Sequence, residues 1–223
     1  MSRARAKHGR RRQGIGAVRS SRPGVQHGGR QSFAAGPTGR HARLILASAS
    51  KRRLKILRDL GLRFSVVIPD VPELFLRRAP SRTAGRNALR KGTWCSRRNP
   101  GAWVIAADTV VAFRGNCLTK PGTRKEAIDF LRMFSGKAQA VYTGVYMRAP
   151  GRQPVVRVVR SRVLFKRLTP DVISRYLRHV DPMDKAGAYD IDQHGDLIIK
   201  GHTGSYSNIM GLPAETVAAW LRK

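Results

Sequence analysis

From residue 44 onward the chain alternates between two hydrophobic spacings. Predominantly apolar runs at 44–47 (LILA), 64–68, 104–107, 110–113 and 141–147 are too short for globular helices. Runs of this length, rich in β-branched residues and bounded by turn residues, predict buried strands. A longer strand is expected over 155–165, where apolar positions are interleaved with Arg157, Arg160 and Arg162. The helical period appears instead at Leu54, Leu57 and Leu60, and again at Ala127, Ile128, Leu131 and Phe134. Further helices are expected over 87–95, 171–180 and 214–221, with a short strand at 197–199. Strands and helices in alternation predict an α/β fold. No internal repeat appears, and no apolar run approaches the roughly 18 residues of a membrane span.

Local punctuation agrees with these elements. Ser50 is a good N-cap for the first helix and Gly61 closes it. Thr123 and Glu126 form a capping box, and Ser135-Gly136 ends that helix. Thr169-Pro170 places proline at a first helical position, and Gly211-Leu212-Pro213 leads into the terminal helix. Pro100-Gly101 breaks the chain before the run at 104. The runs at 104–107 and 110–113 flank Asp108-Thr109, and a Gly115-Asn116 turn signal follows, so this stretch is expected to form strands in a hairpin.

The first 41 residues lack either spacing. They carry ten Lys or Arg and no acid, with much Gly, Ser and Gln. Such a segment cannot bury enough apolar surface to offset its ordering, so 1–41 is expected to be a basic disordered tail before a domain at 42–223. Arg10-Arg11-Arg12 is followed by no apolar segment, which excludes an export signal. An Arg-rich transit peptide and a mis-assigned start codon both remain as readings. The formal charge is +31, and beyond the tail 34 basic residues still face 13 acidic ones. That excess is either an arginine bias on solvated surfaces or an attraction for polyanions, with weak nonspecific binding expected of the tail. Cys95 and Cys117 are too few for a disulfide framework and lack zinc spacing, which points to a reducing compartment such as the cytoplasm.

Three features carry candidate chemistry. Asp108 lies between buried runs, where a carboxylate is costly unless paired. It is either satisfied by neighbouring backbone N–H groups or is a metal-binding acid or general base facing a cleft, with Lys120 as counter-charge. Ser50, Lys51, Arg52 and Arg53 open a helix that follows a strand and a Ser-rich turn, the geometry of an anion site. Cations there oppose the helix dipole by a few tenths of a kcal/mol each. The alternative is simply an Arg-rich helix start. Glu73, in the loop after 64–68, is either a ligand to a site or a solvated acid, and Lys91 by default is an exposed helical lysine. The acids at 190 and 192 begin a calcium-loop spacing, but its required acid falls on Gly201, which discards it.

Six pieces in order, LILASASKRRLKIL (44–57), VIAADTVV (104–111), LTKP (118–121), FSGKAQAVYTGV (134–145), DKAGAYDI (184–191) and GSYSNIMGLP (204–213), resemble the Maf family of nucleoside triphosphate pyrophosphatases. The resemblance runs from about residue 43 to the end. It implies an elongated mixed β-sheet flanked by helices, with two lobes around a cleft as in inosine triphosphatase. It also implies hydrolysis of a nucleoside triphosphate to the monophosphate and pyrophosphate with Mg²⁺ or Mn²⁺, usually by a cytoplasmic homodimer.

By the same resemblance Asp108 matches the proposed proton acceptor and Glu73 a polar cleft position, and as hard oxygen ligands the two acids suit Mg²⁺. Ser50, Arg52 and Arg53 match the phosphate-binding turn, while Lys91 and Lys120 match other polar cleft positions. Thr109 sits where the dTTP/UTP branch has Thr and the 7-methyl-GTP branch usually has Gln. The chain departs from the family at Lys51, where Pro is usual, and at Gln139, where His is usual. It departs again at Asp192, which aligns with a base-selecting Gln unless a one-residue shift brings in Gln193. A second class of function, a basic nucleic-acid-binding protein on a decayed Maf-like scaffold, would need salt-sensitive DNA or RNA binding. The retained polar set and the scarcity of interleaved aromatics weigh against it.

Overall fold

The computed structural model describes residues 43–222, so the expectations for the tail lie outside the described residues. In chain order it contains β1 (Leu44–Ala47), α1 (Lys51–Asp59), β2 (Ser65–Val66), α2 (Pro80–Arg98), β3 (Trp103–Phe113), β4 (Asn116–Leu118) and α3 (Arg124–Phe134). Then come β5 (Ala138–Arg148), β6 (Val155–Phe165), α4 (Pro170–His179), α5 (Gly195–Ile198), β7 (Ile199–Thr203), α6 (Tyr206–Ile209) and α7 (Ala214–Leu221). The strands form one mixed sheet, ordered β2-β1-β3-β5-β6-β7, with β4 paired to β3. β1 runs parallel to β2 and β3, and the other pairs are antiparallel.

The two apolar runs around Asp108 are one strand, β3, rather than two. Its hairpin partner is β4, reached through Arg114 and Gly115, both at positive φ. Asp108 does not break the strand because its side chain finds partners on the covered face. The run at 64–68 contracts to β2, two residues at the sheet edge just before Pro69, whose ring removes a ladder donor. The strand expected at 197–199 is also corrected. The helical turn α5 opens at Gly195, and strand geometry starts only at Ile199.

Alternation along β3 sorts its side chains onto two faces. Val104 and Ala106 pack with Ala88 and Cys95 of α2, and Val110 packs with Ala84 of the same helix. On the opposite face Ile105 and Ala107 pack with Ile56 and Leu57 of α1 and with Val217 and Leu221 of α7. Val111 and Phe113 belong to a second core with Leu131 and Phe134 of α3 and Ile173 and Tyr176 of α4. One sheet face therefore bears two separate cores, the expected two lobes, and Thr109 falls between them. α2 seats closely because a glycine lies on each side of its contact with β5, Gly92 in the helix and Gly144 in the strand. A Cβ on Gly144 would lie 2.2 Å from the Ala84 carbonyl oxygen, and one on Gly92 2.1 Å from the Tyr146 ring.

The edge of β3 opens at the same place. β1 pairs with it only through Ala106, and β4 begins to pair only at Val111. Residues 107–110 thus face a gap at the carboxyl end of β1, the position where open α/β sheets bind ligands.

Candidate active site

A cleft of about 620 Å³ occupies this gap, within the usual size range of ligand sites. Its lining includes Ser50, Arg52, Arg53, Glu73, Lys91, Asp108, Thr109 and Lys120, all expected from the sequence. The two acids and the arginine pair therefore share one groove.

The wall nearest β1 is local in sequence. β1 ends at Ala47 and the chain turns through 48–50 into α1. The Ser50 hydroxyl caps the helix by accepting from the Arg53 backbone N–H at 3.5 Å. Each nitrogen of the Arg53 guanidinium has a partner: Nε donates to the Gly211 carbonyl at 2.8 Å, Nη1 to Ser48 Oγ at 3.1 Å and Nη2 to Thr109 Oγ1 at 3.0 Å. Burial holds its pKa below the ordinary arginine value and Arg52 adds to this, while Asp108 and Glu73 oppose it. Arg52 reaches across to Asp190, Nη1 to Oδ2 at 2.8 Å, and stays 38% exposed. Arg53 is thus pinned, whereas Arg52 keeps access to solvent.

The facing wall centres on Asp108, only 6% exposed. Lys91 Nζ donates to Asp108 Oδ1 and to Glu73 Oε1, both at 2.6 Å. Asn87, one turn earlier on α2, donates from Nδ2 to Asp108 Oδ2 at 3.1 Å. Side chains four apart on a helix lie on one face, so α2 serves both carboxylate oxygens. Burial works to raise the Glu73 pKa, but the Lys91 hydrogen bond and charge, with Lys120 and Arg53, hold it below the usual carboxylate value. The buried carboxylate of Asp108 is tolerated because it is paired.

The third side comes from the segment after α4. Lys185, buried and paired with the exposed Asp184, lines the cleft together with Asp190 and Gln193. Burial works to raise the Asp184 pKa, and the Lys185 bond and charge with Arg52 bring it below the ordinary value. Asp192 does not line the cleft. Its carboxylate accepts from the Tyr206 hydroxyl at 3.1 Å, and Gln193 occupies the wall instead. Gln139, the other departure, is buried and donates to the Tyr189 hydroxyl beneath this segment. Thr109 Oγ1 is shared with Arg53 and with Thr143, 3.0 Å away, so the hydroxyl braces the arginine.

Sequence reasoning missed Asn87, Ser48, Lys185 and Asp190 as site residues, and offered Gln193 only through a one-residue shift at Asp192. For Lys185 and Asp190 a signal existed, since acids are scarce in this chain and three of them fall within 184–192. Nothing local marks Asn87.

A family model described as Maf-like protein matches residues 43–223. A dTTP/UTP pyrophosphatase of Myxococcus xanthus is 44% identical over 177 residues, covering 78% of this chain and 89% of that protein. A dTTP/UTP pyrophosphatase of Deinococcus radiodurans is 42% identical over 181 residues, covering 81% and 92%. Among solved structures, the Staphylococcus aureus Ham1 protein aligns with a TM-score of 0.45 and 15% identity, over 80% of this chain and 97% of that one.

Proposed function

Since the chain belongs to the Maf-like protein family, we propose that its cleft hydrolyses a nucleoside triphosphate, of the dTTP/UTP kind, to the monophosphate and pyrophosphate. The observation that carries this reading is the pairing of two carboxylates bridged by one lysine with a helix N-terminus and an arginine pair in the same groove.

A triphosphate brings about four negative charges, and its transfer chemistry rests mainly on positioning and charge stabilisation. The backbone N–H groups opening α1, with Lys51 and Arg52, form one half of the cradle. Lys120 and Lys185 supply cations from the other elements lining the cleft. Arg52 exchanges Asp190 for phosphate oxygen, which its exposure permits. Arg53 stays on its three protein acceptors and holds Thr109 and the Gly211 turn in register. Asp108 takes the proton from the water that attacks the α-phosphorus, while the cations hold the departing pyrophosphate.

The two acids also fit a divalent ion. Asp108 and Glu73 already share one cationic nitrogen, and the Glu73 carboxylate is 63% exposed. Among the described residues no cluster of three or more His, Cys, Asp or Glu forms a complete cage. Two hard carboxylates completed by waters and phosphate oxygens suit Mg²⁺ or Mn²⁺. The ion supplies charge neutralisation for the triphosphate and acidifies water. Gln193, rather than Asp192, offers the amide that reads the base. The working form in this reading is a cytoplasmic homodimer.

A panel of canonical and modified nucleoside triphosphates, assayed with Mg²⁺ or Mn²⁺ for pyrophosphate against orthophosphate, tests the proposal. Pyrophosphate is the expected product, fastest from dTTP or UTP. Orthophosphate alone would mean cleavage at the terminal phosphate and a different enzyme.

A further inference from the structure

Asn87 is 3% exposed, absent from the cleft lining, and engaged through every part of its amide that the site can reach. Its Nδ2 donates to Asp108 Oδ2 at 3.1 Å and to the Leu74 carbonyl at 3.0 Å, and its Oδ1 accepts from the Leu74 N–H at 2.8 Å. This set fixes the amide orientation. A flip would set the NH₂ against the Leu74 N–H and the oxygen against both a carbonyl and a carboxylate.

Leu74 directly follows Glu73. Asn87 therefore fastens the backbone beside one acid to the side chain of the other. One helical turn later Lys91 makes the same bridge through charge, from Asp108 Oδ1 to Glu73 Oε1. The two bridges differ in what can displace them. Lys91 and Glu73 face the cleft, so a cation or phosphate can compete for the ammonium–carboxylate pair. The Asn87 bridge is sealed from the cleft.

Resting on the function proposed above, we propose that Asn87 is a positioning residue for that reaction. It holds the Asp108 carboxylate and the Glu73 loop at fixed separation when substrate and cation take over the Lys91 contacts. Without it both acids remain, but their relative placement depends on the one bridge that binding disturbs. A misplacement of about 1 Å costs on the order of 10²-fold in rate.

The test uses the full-length protein with Asn87→Leu and Asn87→Asp. Leu fills a similar volume and removes all three bonds. Asp keeps an acceptor for the Leu74 N–H but turns a carboxylate toward Asp108, where like charges repel. The expected results at pH 8 are a kcat about 10- to 100-fold below wild type for Asn87→Leu with KM within about 3-fold, and a lower kcat still for Asn87→Asp. Amide hydrogen exchange at Leu74 should accelerate in Asn87→Leu while exchange within β3 keeps its protection. A purely structural clamp predicts the reverse ranking, with Asp better than Leu, and that ranking overturns the inference. Wild-type kcat in Asn87→Leu overturns it as well, as does a general loss of protection in both variants with kcat tracking folded fraction. Absence of pyrophosphate release from the wild type would instead remove the underlying reading. Unchanged exchange at Leu74 in Asn87→Leu would then dismiss the bridge separately.

Discussion

One wall of the cleft is drawn from the consecutive residues 48–53, where a strand end, a turn and a helix start follow one another. The opposing wall takes Glu73 from a loop, Asn87 and Lys91 from α2 and Asp108 from β3. The backbone of the first wall is made by local geometry, while its two arginines are held by Gly211, Thr109 and Asp190 from elsewhere in the chain. The second exists only when α2 is seated on the sheet, and its acids are stable there because each carboxylate oxygen of Asp108 meets a donor. The cationic wall therefore starts from a local backbone unit, while every group of the acid wall depends on tertiary packing and is easier to disturb.

The sharpest way to break this contrast is Asp108→Asn. The amide keeps its volume and can still accept from Asn87 or Lys91, so the fold should hold, with a melting temperature within a few degrees of wild type. Turnover should fall by about 10³-fold, the scale of losing a positioned proton acceptor. Pyrophosphate release and circular dichroism read the two effects separately. Near-normal turnover would remove Asp108 from the chemistry.

That dependence on packing also explains what was legible in the sequence. The anion wall was readable from 48–53 alone, because a strand, a serine turn and a capped helix are adjacent in the chain. Asp108 was noticeable as an acid between apolar runs, but its partners were not. Asn87 is one polar residue on a helix rich in exposed arginine, and only the close seating of α2 on the sheet, permitted against β5 by Gly92 and Gly144, brings it to the carboxylate. The expectation of two short strands around Asp108 failed because an acid served by donors from α2 does not interrupt a ladder. At 195–198 a Gly-Asp start initiates a turn of helix where the apolar run alone suggested a strand. Asp192 was placed in the cleft by alignment, and the chain's path through Asp190 and His194, the latter at positive φ, turns Gln193 inward instead.

A second prediction sharpens the contrast from the cationic side. Arg53→Lys keeps the charge but cannot reproduce the fork that reaches Gly211, Ser48 and Thr109 together. Hydrogen bonds to charged groups contribute about 1.5–3 kcal/mol each when their partners are lost, and a lysine recovers part of that. The expected result is a stability loss of about 2 kcal/mol in denaturant titration, with roughly a 10-fold fall in kcat/KM. Arg52→Lys should cost less stability, because Arg52 makes a single side-chain bond, to the buried Asp190, and a lysine keeps the opposing charge there. Equal stability losses in the two variants would contradict the division into a pinned and a mobile arginine.

The smallest effect concerns the exposed end of the acid wall. The folded-state pKa of Glu73 is lowered, so its pairing with Lys91 contributes stability that is fully present above the ordinary glutamate value of about 4.3 and lost as pH falls through the lower folded value. Glu73→Gln removes that dependence. The two proteins should therefore differ slightly in melting temperature at neutral pH and converge as the solution is acidified below pH 4. Because the Glu73 carboxylate is mostly exposed, solvent screens the pair and the gap at neutral pH should be small. A gap that widened on acidification would require the opposite sign of shift, with the carboxyl neutral in the folded protein. Lys91 would then be neutralised by Asp108 alone, and the second acid would no longer be poised as a charged ligand in the groove.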